Sequence, residues 1–270
     1  MPSNRRFPVV LSIAGSDSGG LSGLQADLRA FAAYGVHGLT AVTAITAQNS
    51  REVTAVRVVP AASLLAQLDA LRADFDIAAV KIGMLGSTAN VRAVARWLRR
   101  QAPKNVVLDP VFVSTSGRRL LSAQGVATLR DELLPLTSVV TPNVPEAEVL
   151  LARSLPAAAP LHVAANELLQ LGGAAVLLKG GHVKGREAAV VDHFADARGS
   201  LQFAHARLPF AARGTGCTLA SAIAAGLAKK MSMRAAVRRA EEHLQACYRA
   251  ATPIGRGNAR ALGWKRVVQD

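Results

Sequence analysis

Apolar runs of strand length alternate with runs of helical period along almost the whole of this 270-residue chain, and most of the apolar runs end in a polar loop of Gly, Asp or Asn. "VVLSIAG" (9–15), "GLTAVTAI" (38–45), residues 53–59, "AAVKIG" (78–83), "NVVLDPV" (105–111), "SVVTPN" (138–143) and "AAVLLKGG" (174–181) read as strands. Between them Leu21, Leu24, Leu28 and Phe31 recur at helical spacing, as do Leu64, Leu68 and Leu71 within 61–74 and Val91, Val94 and Leu98 within 88–100. Residues 123–134 predict a further helix, 145–151 and 162–171 two short ones, and 216–229 and 233–251 a closing pair. "AAVVDHF" (188–194) and "LQFAHARL" (201–208) predict an antiparallel edge pair. Such alternation implies an α/β fold whose mostly parallel central sheet is covered by helices on both faces. Ligands of such sheets bind beyond the carboxyl ends of the strands. The loops "GSDSGG", "TAQNS", "KIGML", "DPVFVSTSG", "TPNVPEAE" and "KGGH" are therefore the places to look for chemistry.

The length suits one large domain over residues 1–270, with 1–7 and about 253–270 expected to be less ordered. The apolar run from Phe7 to Ala14 is interrupted by Pro8 and Ser12, which makes it a strand and not an export signal. Residues 30–50 carry no formal charge, but Gly35, Gly38 and several polar side chains break them up, so no membrane span is expected. Cys217 and Cys247 are the only cysteines, which fits a reducing, cytoplasmic setting without a disulfide framework or zinc site. Lys and Arg exceed Asp and Glu by 32 to 18. The basic groups are scattered in pairs such as Arg99-Arg100, Arg118-Arg119 and Arg238-Arg239, and aromatic residues make up only 4% of the chain. That pattern favours steering of an anionic small molecule over nucleic-acid binding.

Neither a G-x-x-x-x-G-K-[ST] loop nor a G-x-G-x-x-G turn is present. The best anion site is "GTGCTLASAIAAGLA" (214–228), where Gly214 to Cys217 would offer the unpaired amides of a helix's first turn. The same stretch also reads as a helix start with glycines for close packing. A cysteine there lies at the positive end of the helix dipole, so the Cys217 thiol is expected to have a lowered pKa. Cys247, inside the last helix, reads as a small buried hydrophobe.

Seven blocks occur in order: "IAGSDSGGLSGLQADLRAF", "AITAQNS", "VKIGMLGS", "VVLDPVFVSTSG", "VTPNVPEAEVLL", "VLLKGGH" and "GTGCTLASAIAAGLA". Together they resemble the hydroxymethylpyrimidine/phosphomethylpyrimidine kinases of thiamine biosynthesis, members of the ribokinase-like superfamily. The resemblance implies a three-layer α/β/α sandwich, ATP as co-substrate with Mg²⁺, a small-molecule acceptor phosphorylated twice, and a homodimer. It also implies that Cys217 is a general base, held in an anion hole made by Gly214, Thr215, Gly216 and its own amide. Gln48 then faces the amino group and ring nitrogen of the pyrimidine, which its donor and acceptor suit; a loop amide that caps backbone groups is the other reading. Gly15, Asp17 and Gly20 are expected to border the hydroxymethyl pocket, with Met84 and Val111 packed on the ring. Asn143 and Glu146 match an Asn-x-x-Glu motif that orders Mg²⁺ and phosphate. Asp109 shares the metal, and Lys179 meets the ATP phosphates. Asp27 reads as a solvated helix residue and is given no role.

Three features depart from the family pattern: the loop "DSGGLSG", Arg213 where relatives often carry histidine, and the tail "PIGRGNARALGW", to which no function attaches. A pyridoxal or pyridoxine kinase of the same superfamily is the rival expectation. A nucleic-acid-binding protein on a degenerate kinase scaffold is the rival from another class.

Overall fold

The computed structural model describes residues 7–114, 117–156, 159–182, 189–264 and 267. The expectations for residues 1–6 and for the last part of the tail fall outside that set. Nine strands form one sheet: β1 (Val9–Asp17), β2 (His37–Gln48), β3 (Val53–Val58), β4 (Ile77–Ile82), β5 (Val106–Leu108), β6 (Val139–Val140), β7 (Ala175–Leu178), β8 (Ala189–Asp196) and β9 (Gly199–Ala206). The helices are α1 (Gly23–Ala33), α2 (Ala61–Asp74), α3 (Thr88–Gln101), α4 (Ala123–Thr128), α5 (Val144–Leu151), α6 (Leu161–Leu169), α7 (Thr215–Ala228) and α8 (Met233–Arg249). Three short strands, β10 (Ala212–Arg213), β11 (Thr252–Pro253) and β12 (Arg260–Ala261), make a second small sheet in the order β10-β12-β11.

The large sheet runs β3-β2-β1-β4-β5-β6-β7-β8-β9. From β2 through β7 all neighbours are parallel, while β3 at one edge and β8 and β9 at the other are antiparallel. Alternation along the central strands splits their side chains between two cores. Leu11, Val80, Ile82 and Leu108 point to the face covered by Leu64 and Leu68 of α2 and Val91, Val94 and Leu98 of α3. Val10, Ala79, Val107 and Leu177 point the other way, onto Phe31 of α1, Ile223 of α7 and Val237 of α8. Both faces are thus covered, which is why the strands read as continuous apolar runs. The chain order reverses at β1, which lies between β2 and β4, and this switch point opens a crevice at the strand ends.

Helix α7 is buried from Thr218 to Ala228 and is built almost wholly of small residues. A helix apolar on all sides belongs inside the molecule, and here its small side chains let it fit between the sheet and α8. Gly226 makes that approach possible, because a methyl group there would lie 3.1 Å from the Ala236 side chain.

Two sequence expectations are corrected. Leu28 does not join Leu24 and Phe31 in the core but is 40% exposed. The single helix expected over 123–134 is broken: after α4 the backbone widens into a π-turn at Leu129–Leu133 and tightens into a 3₁₀ turn at Leu134–Leu136. Thr128 Oγ1 donates to the Gln124 carbonyl, and Pro135 has no N–H to continue the ladder.

Candidate active site

The carboxyl ends of β1, β2, β4, β5, β6 and β7 and the N-terminus of α7 enclose a cavity of about 950 Å³. Gly15, Asp17, Gln48, Met84, Asp109, Val111, Asn143, Glu146, Lys179 and the run Gly214, Thr215, Gly216, Cys217 all line it. Gly20 does not. It lies on the far side of the first loop with its carbonyl turned to Arg29, so it is not a wall of the pocket.

Gly214 caps α7 in the left-handed conformation, with φ 77°. A side chain there would be strained and would place its Cβ 2.1 Å from the Leu21 carbonyl oxygen. Gly216 faces Lys179 so closely that a Cβ would sit 3.1 Å from Nζ. The first turn of α7 therefore presents backbone amides with no intrahelical acceptor beside a lysine and a cysteine, surroundings that suit an anion.

Cys217 is half-buried at that turn. The expected lowering of its pKa is not what the surroundings produce. Burial pushes the thiol up to about 12, and the carboxylates of Asp27 and Asp109 add to this. The Lys81 ammonium and the Gly23 amide pull the other way. Desolvation thus outweighs the pull of the Lys81 ammonium and the Gly23 amide.

Lys81 and Asp27 were missed. Asp27 is not solvated: both side chains are fully buried, and Lys81 Nζ lies 2.9 Å from each Asp27 oxygen. Ser12 Oγ donates to Asp27 Oδ2 at 2.6 Å, and Ser221 Oγ donates to Oδ1 at 2.8 Å. Ser221 stands one turn beyond Cys217, so this polar knot ties β1, α1, β4 and α7 together directly behind the thiol. Its signals were present as a lysine inside the apolar run "AAVKIG" and an aspartate between Leu24 and Phe31.

Beside the first turn of α7, Lys179 Nζ bonds Asp109 Oδ1 at 3.0 Å and stands 4.0 Å from Glu146 Oε2. Asn143 and Glu146 form a reciprocal capping box on α5: Asn143 Oδ1 accepts the Glu146 amide at 2.9 Å, and Glu146 Oε2 accepts the Asn143 amide at 2.8 Å. The Asn-x-x-Glu spacing thus builds a helix start as well as lining the cavity. Burial pushes Glu146 up to about 7, with the nearby Asp109 charge raising it further against the pull of Lys179. Two carboxylates facing one ammonium form an oxygen donor set with unbalanced negative charge, which fits a hard cation held directly or through water.

The loop after β1 is organised by Asp17. Its Oδ1 accepts the Gly19 amide, and Oδ2 accepts the amides of Leu21 and Ser22 and the Ser22 hydroxyl. Its oxygens are spent on the loop, so it shapes the pocket by holding the backbone. Gln48 Nε2 donates to Asp17 Oδ2 at 3.1 Å, which anchors the amide at the cavity wall. Met84 Sδ packs against Gly15, where a Cβ would come within 3.1 Å. Arg213 is buried, and its Nη2 donates to the Ser50 and Arg51 carbonyls at 3.5 and 3.0 Å.

An anion-suited helix start, a thiol, a lysine and paired carboxylates around one strand-end cavity fit a phosphotransferase of the α/β sandwich class, and the similarity to known proteins gives that class. A family model described as phosphomethylpyrimidine kinase matches residues 17–261. The hydroxymethylpyrimidine/phosphomethylpyrimidine kinase of Rhizobium meliloti (strain 1021) is 47% identical over 254 residues, covering 93% of this chain and 94% of the relative. Among solved structures, the phosphomethylpyrimidine kinase of Clostridium difficile 630 superposes with a TM-score of 0.78 at 36% identity, covering 88% of this chain and 97% of that one. The Bacillus subtilis pyridoxal kinase solved with ADP superposes with a TM-score of 0.88 at 30% identity, covering 97% and 98%. The chain belongs to the phosphomethylpyrimidine kinase family.

Proposed function

We propose that this kinase transfers the terminal phosphoryl group of ATP to the hydroxymethyl group of 4-amino-5-hydroxymethyl-2-methylpyrimidine, and then phosphorylates the monophosphate to the diphosphate, as a step of thiamine biosynthesis. The observation that carries the reading is one cavity lined by Gln48, by the Gly214–Cys217 turn and by the Lys179–Asp109 pair that stands beside Gly216.

The acceptor hydroxyl oxygen forms the new bond to phosphorus, its proton passes to Cys217 Sγ, and the bond to ADP breaks. The amides of Gly214 to Cys217 hold the transferring group, whose charge spreads over its equatorial oxygens. Lys179 exchanges its bond to Asp109 for one to phosphate. Asp109 and Glu146 would hold Mg²⁺, which when bound neutralises charge on the phosphate chain. Met84 and Val111 pack against the ring, and Gln48 pairs with its polar edge. The assembly expected by family resemblance is a homodimer, which sedimentation of the purified chain tests.

The similarity to pyridoxal kinases makes vitamin B6 vitamers the competing acceptors. A site that pairs with a polar edge rejects a ring without it, because buried donor and acceptor groups are left unpaired at roughly 1–3 kcal/mol. Measurement of kcat/KM for the pyrimidine alcohol, its monophosphate, pyridoxal and pyridoxine, in wild type and Gln48→Ala, separates the readings. Both pyrimidines should be turned over and should suffer more from Gln48→Ala than the vitamers do. Preference for pyridoxal, or arrest at the monophosphate, would replace this assignment by the vitamin B6 kinase one.

A further inference from the structure

Behind Lys179, at the β8–β9 side of the cavity, three side chains converge that the phosphoryl-transfer chemistry does not use. Asp192 on β8, His205 on β9 and Glu241 on α8 each bring one ligand atom within 4.8 Å of the others. Asp192 pairs with Phe203 in the ladder, so His205, two residues on, shares its face of the hairpin as a diagonal neighbour. Asp192 Oδ2 and His205 Nε2 are 3.4 Å apart. That is long for a hydrogen bond. It is, however, the separation of two co-ligands: a tetrahedral ion with bonds of about 2.0–2.2 Å holds its ligand atoms about 3.3–3.6 Å from one another.

Glu241 points to the same conclusion by a separate observation. The residue is only 4% exposed, and no N–H or hydroxyl donor reaches its carboxylate oxygens; its polar neighbour is the Asp192 carboxylate, which it can hydrogen-bond only when one of the two carries a proton. Two carboxylates buried against each other repel, and either a shared proton or a bound cation relieves them. Lys179, the nearest ammonium to act on it, is bound to Asp109. Burial first, and then the Asp192 charge, raise the Glu241 pKa well above the ordinary range against the pull of Lys179, and the hydrogen bond with Asp192 adds to the rise. The Gly180 amide donates to Asp192 Oδ1 at 2.6 Å, which fixes that carboxylate as an outer-shell donor does and leaves Oδ2 turned to the cluster. Asp192 and His205 both line the cavity, so an ion has a way in and a coordination position open toward it.

We infer that Asp192, His205 and Glu241 form a binding site for a divalent transition-metal cation of the Zn²⁺ type, separate from the carboxylates Asp109 and Glu146. One imidazole nitrogen and two carboxylates suit a borderline ion better than Mg²⁺, which prefers oxygen donors and keeps much of its water. The ion would join β8 and β9 to α8 and stiffen the wall of the cavity next to Lys179.

The test is titration of the chelator-stripped full chain with Zn²⁺, and separately with Co²⁺, without nucleotide. One equivalent should bind, and the cobalt spectrum should lack a thiolate charge-transfer band, which separates this site from Cys217 and Cys247. Glu241→Gln and His205→Ala should each weaken binding at least tenfold, as loss of a ligand requires, while Asp109→Asn and Glu146→Gln should keep the equivalent. Because Glu241→Gln removes a buried charge, its Tm in chelator should equal or exceed that of wild type, and Zn²⁺ should raise the Tm of wild type but not of Glu241→Gln. No stoichiometric binding, binding unaltered by both Glu241→Gln and His205→Ala, or a thiolate band on the bound cobalt would each overturn the assignment and leave a pair of carboxyl groups that stay protonated.

Discussion

Cys217 is pulled in two directions at one sulfur, and the balance decides how its chemistry depends on pH. Family resemblance and its place at a helix start marked the residue from sequence, but the degree of desolvation depends on Asp27, Lys81 and Asp109, which come from distant parts of the chain. With the thiol pushed up to about 12, the free enzyme at neutral pH holds mostly the protonated form. If the thiolate is the base, kcat/KM, which reports the free enzyme, should climb about tenfold per pH unit and show no plateau below pH ~9. A plateau at neutral pH would mean either that the thiol titrates well below 12 or that the base is another group, which the alanine variant distinguishes. Replacement by alanine should lower kcat by about 10²–10⁴-fold while the KM for ATP changes little, since the backbone amides remain. Near wild-type turnover in Cys217→Ala would take the sulfur out of the mechanism. The raised pKa also bears on stability: as pH rises from the ordinary thiol range toward 12, the unfolded chain ionises first, so stability should fall across that window in wild type and not in the alanine variant.

Between elements, the strongest single tie behind the site is the Lys81–Asp27 pair with its two serines. Removing one member of a buried ion pair leaves the other charge uncompensated and costs about 3–5 kcal/mol. Lys81→Met should therefore lower stability by that amount in denaturant titration. Adding Asp27→Asn should recover part of the loss, because the stranded charge is gone. A cost below ~1 kcal/mol for Lys81→Met would mean that the pair does not hold α1, β4 and α7 together. Local pattern predicted α2 at Ala61–Asp74 and α3 from Thr88 because their apolar stripes are regular. It did not reveal this knot, since each partner looks like a lone charge until the sheet brings residues 54 apart in sequence into contact. The same limit explains the break after Thr128, where a side-chain bond and a following proline override a good helical period.

For the molecule as a whole, the stretch hardest to read was the tail, and the fold gives it a place. β12 pairs with β10, the strand that leads through Arg213 into Gly214, and β11 pairs back on β12. On its way the tail lies against the loop after β2: the Gly257 amide donates to Ser50 Oγ at 3.0 Å, and Arg213 reaches the Ser50 and Arg51 carbonyls. Tail, Gln48 loop and α7 entrance are therefore tied to one another, although they come from three parts of the chain. Glycine at 257 is required by packing, since a Cβ would fall 2.2 Å from the Ser50 carbonyl oxygen. Gly257→Ala should force the two segments apart at an overpacking cost of about 1–3 kcal/mol. Gln48 lies only two residues before Ser50, so on the proposed function the KM for the pyrimidine alcohol should rise several-fold, whereas the KM for ATP, proposed to depend on Lys179 beside Gly216, should stay near the wild-type value. Steady-state kinetics with each substrate varied in turn, beside a thermal melt, reads both effects. Equal rises in the two KM values would mean that the tail supports the whole cavity and not its pyrimidine end. Unchanged kinetics with a lowered Tm would reduce the tail to a structural brace.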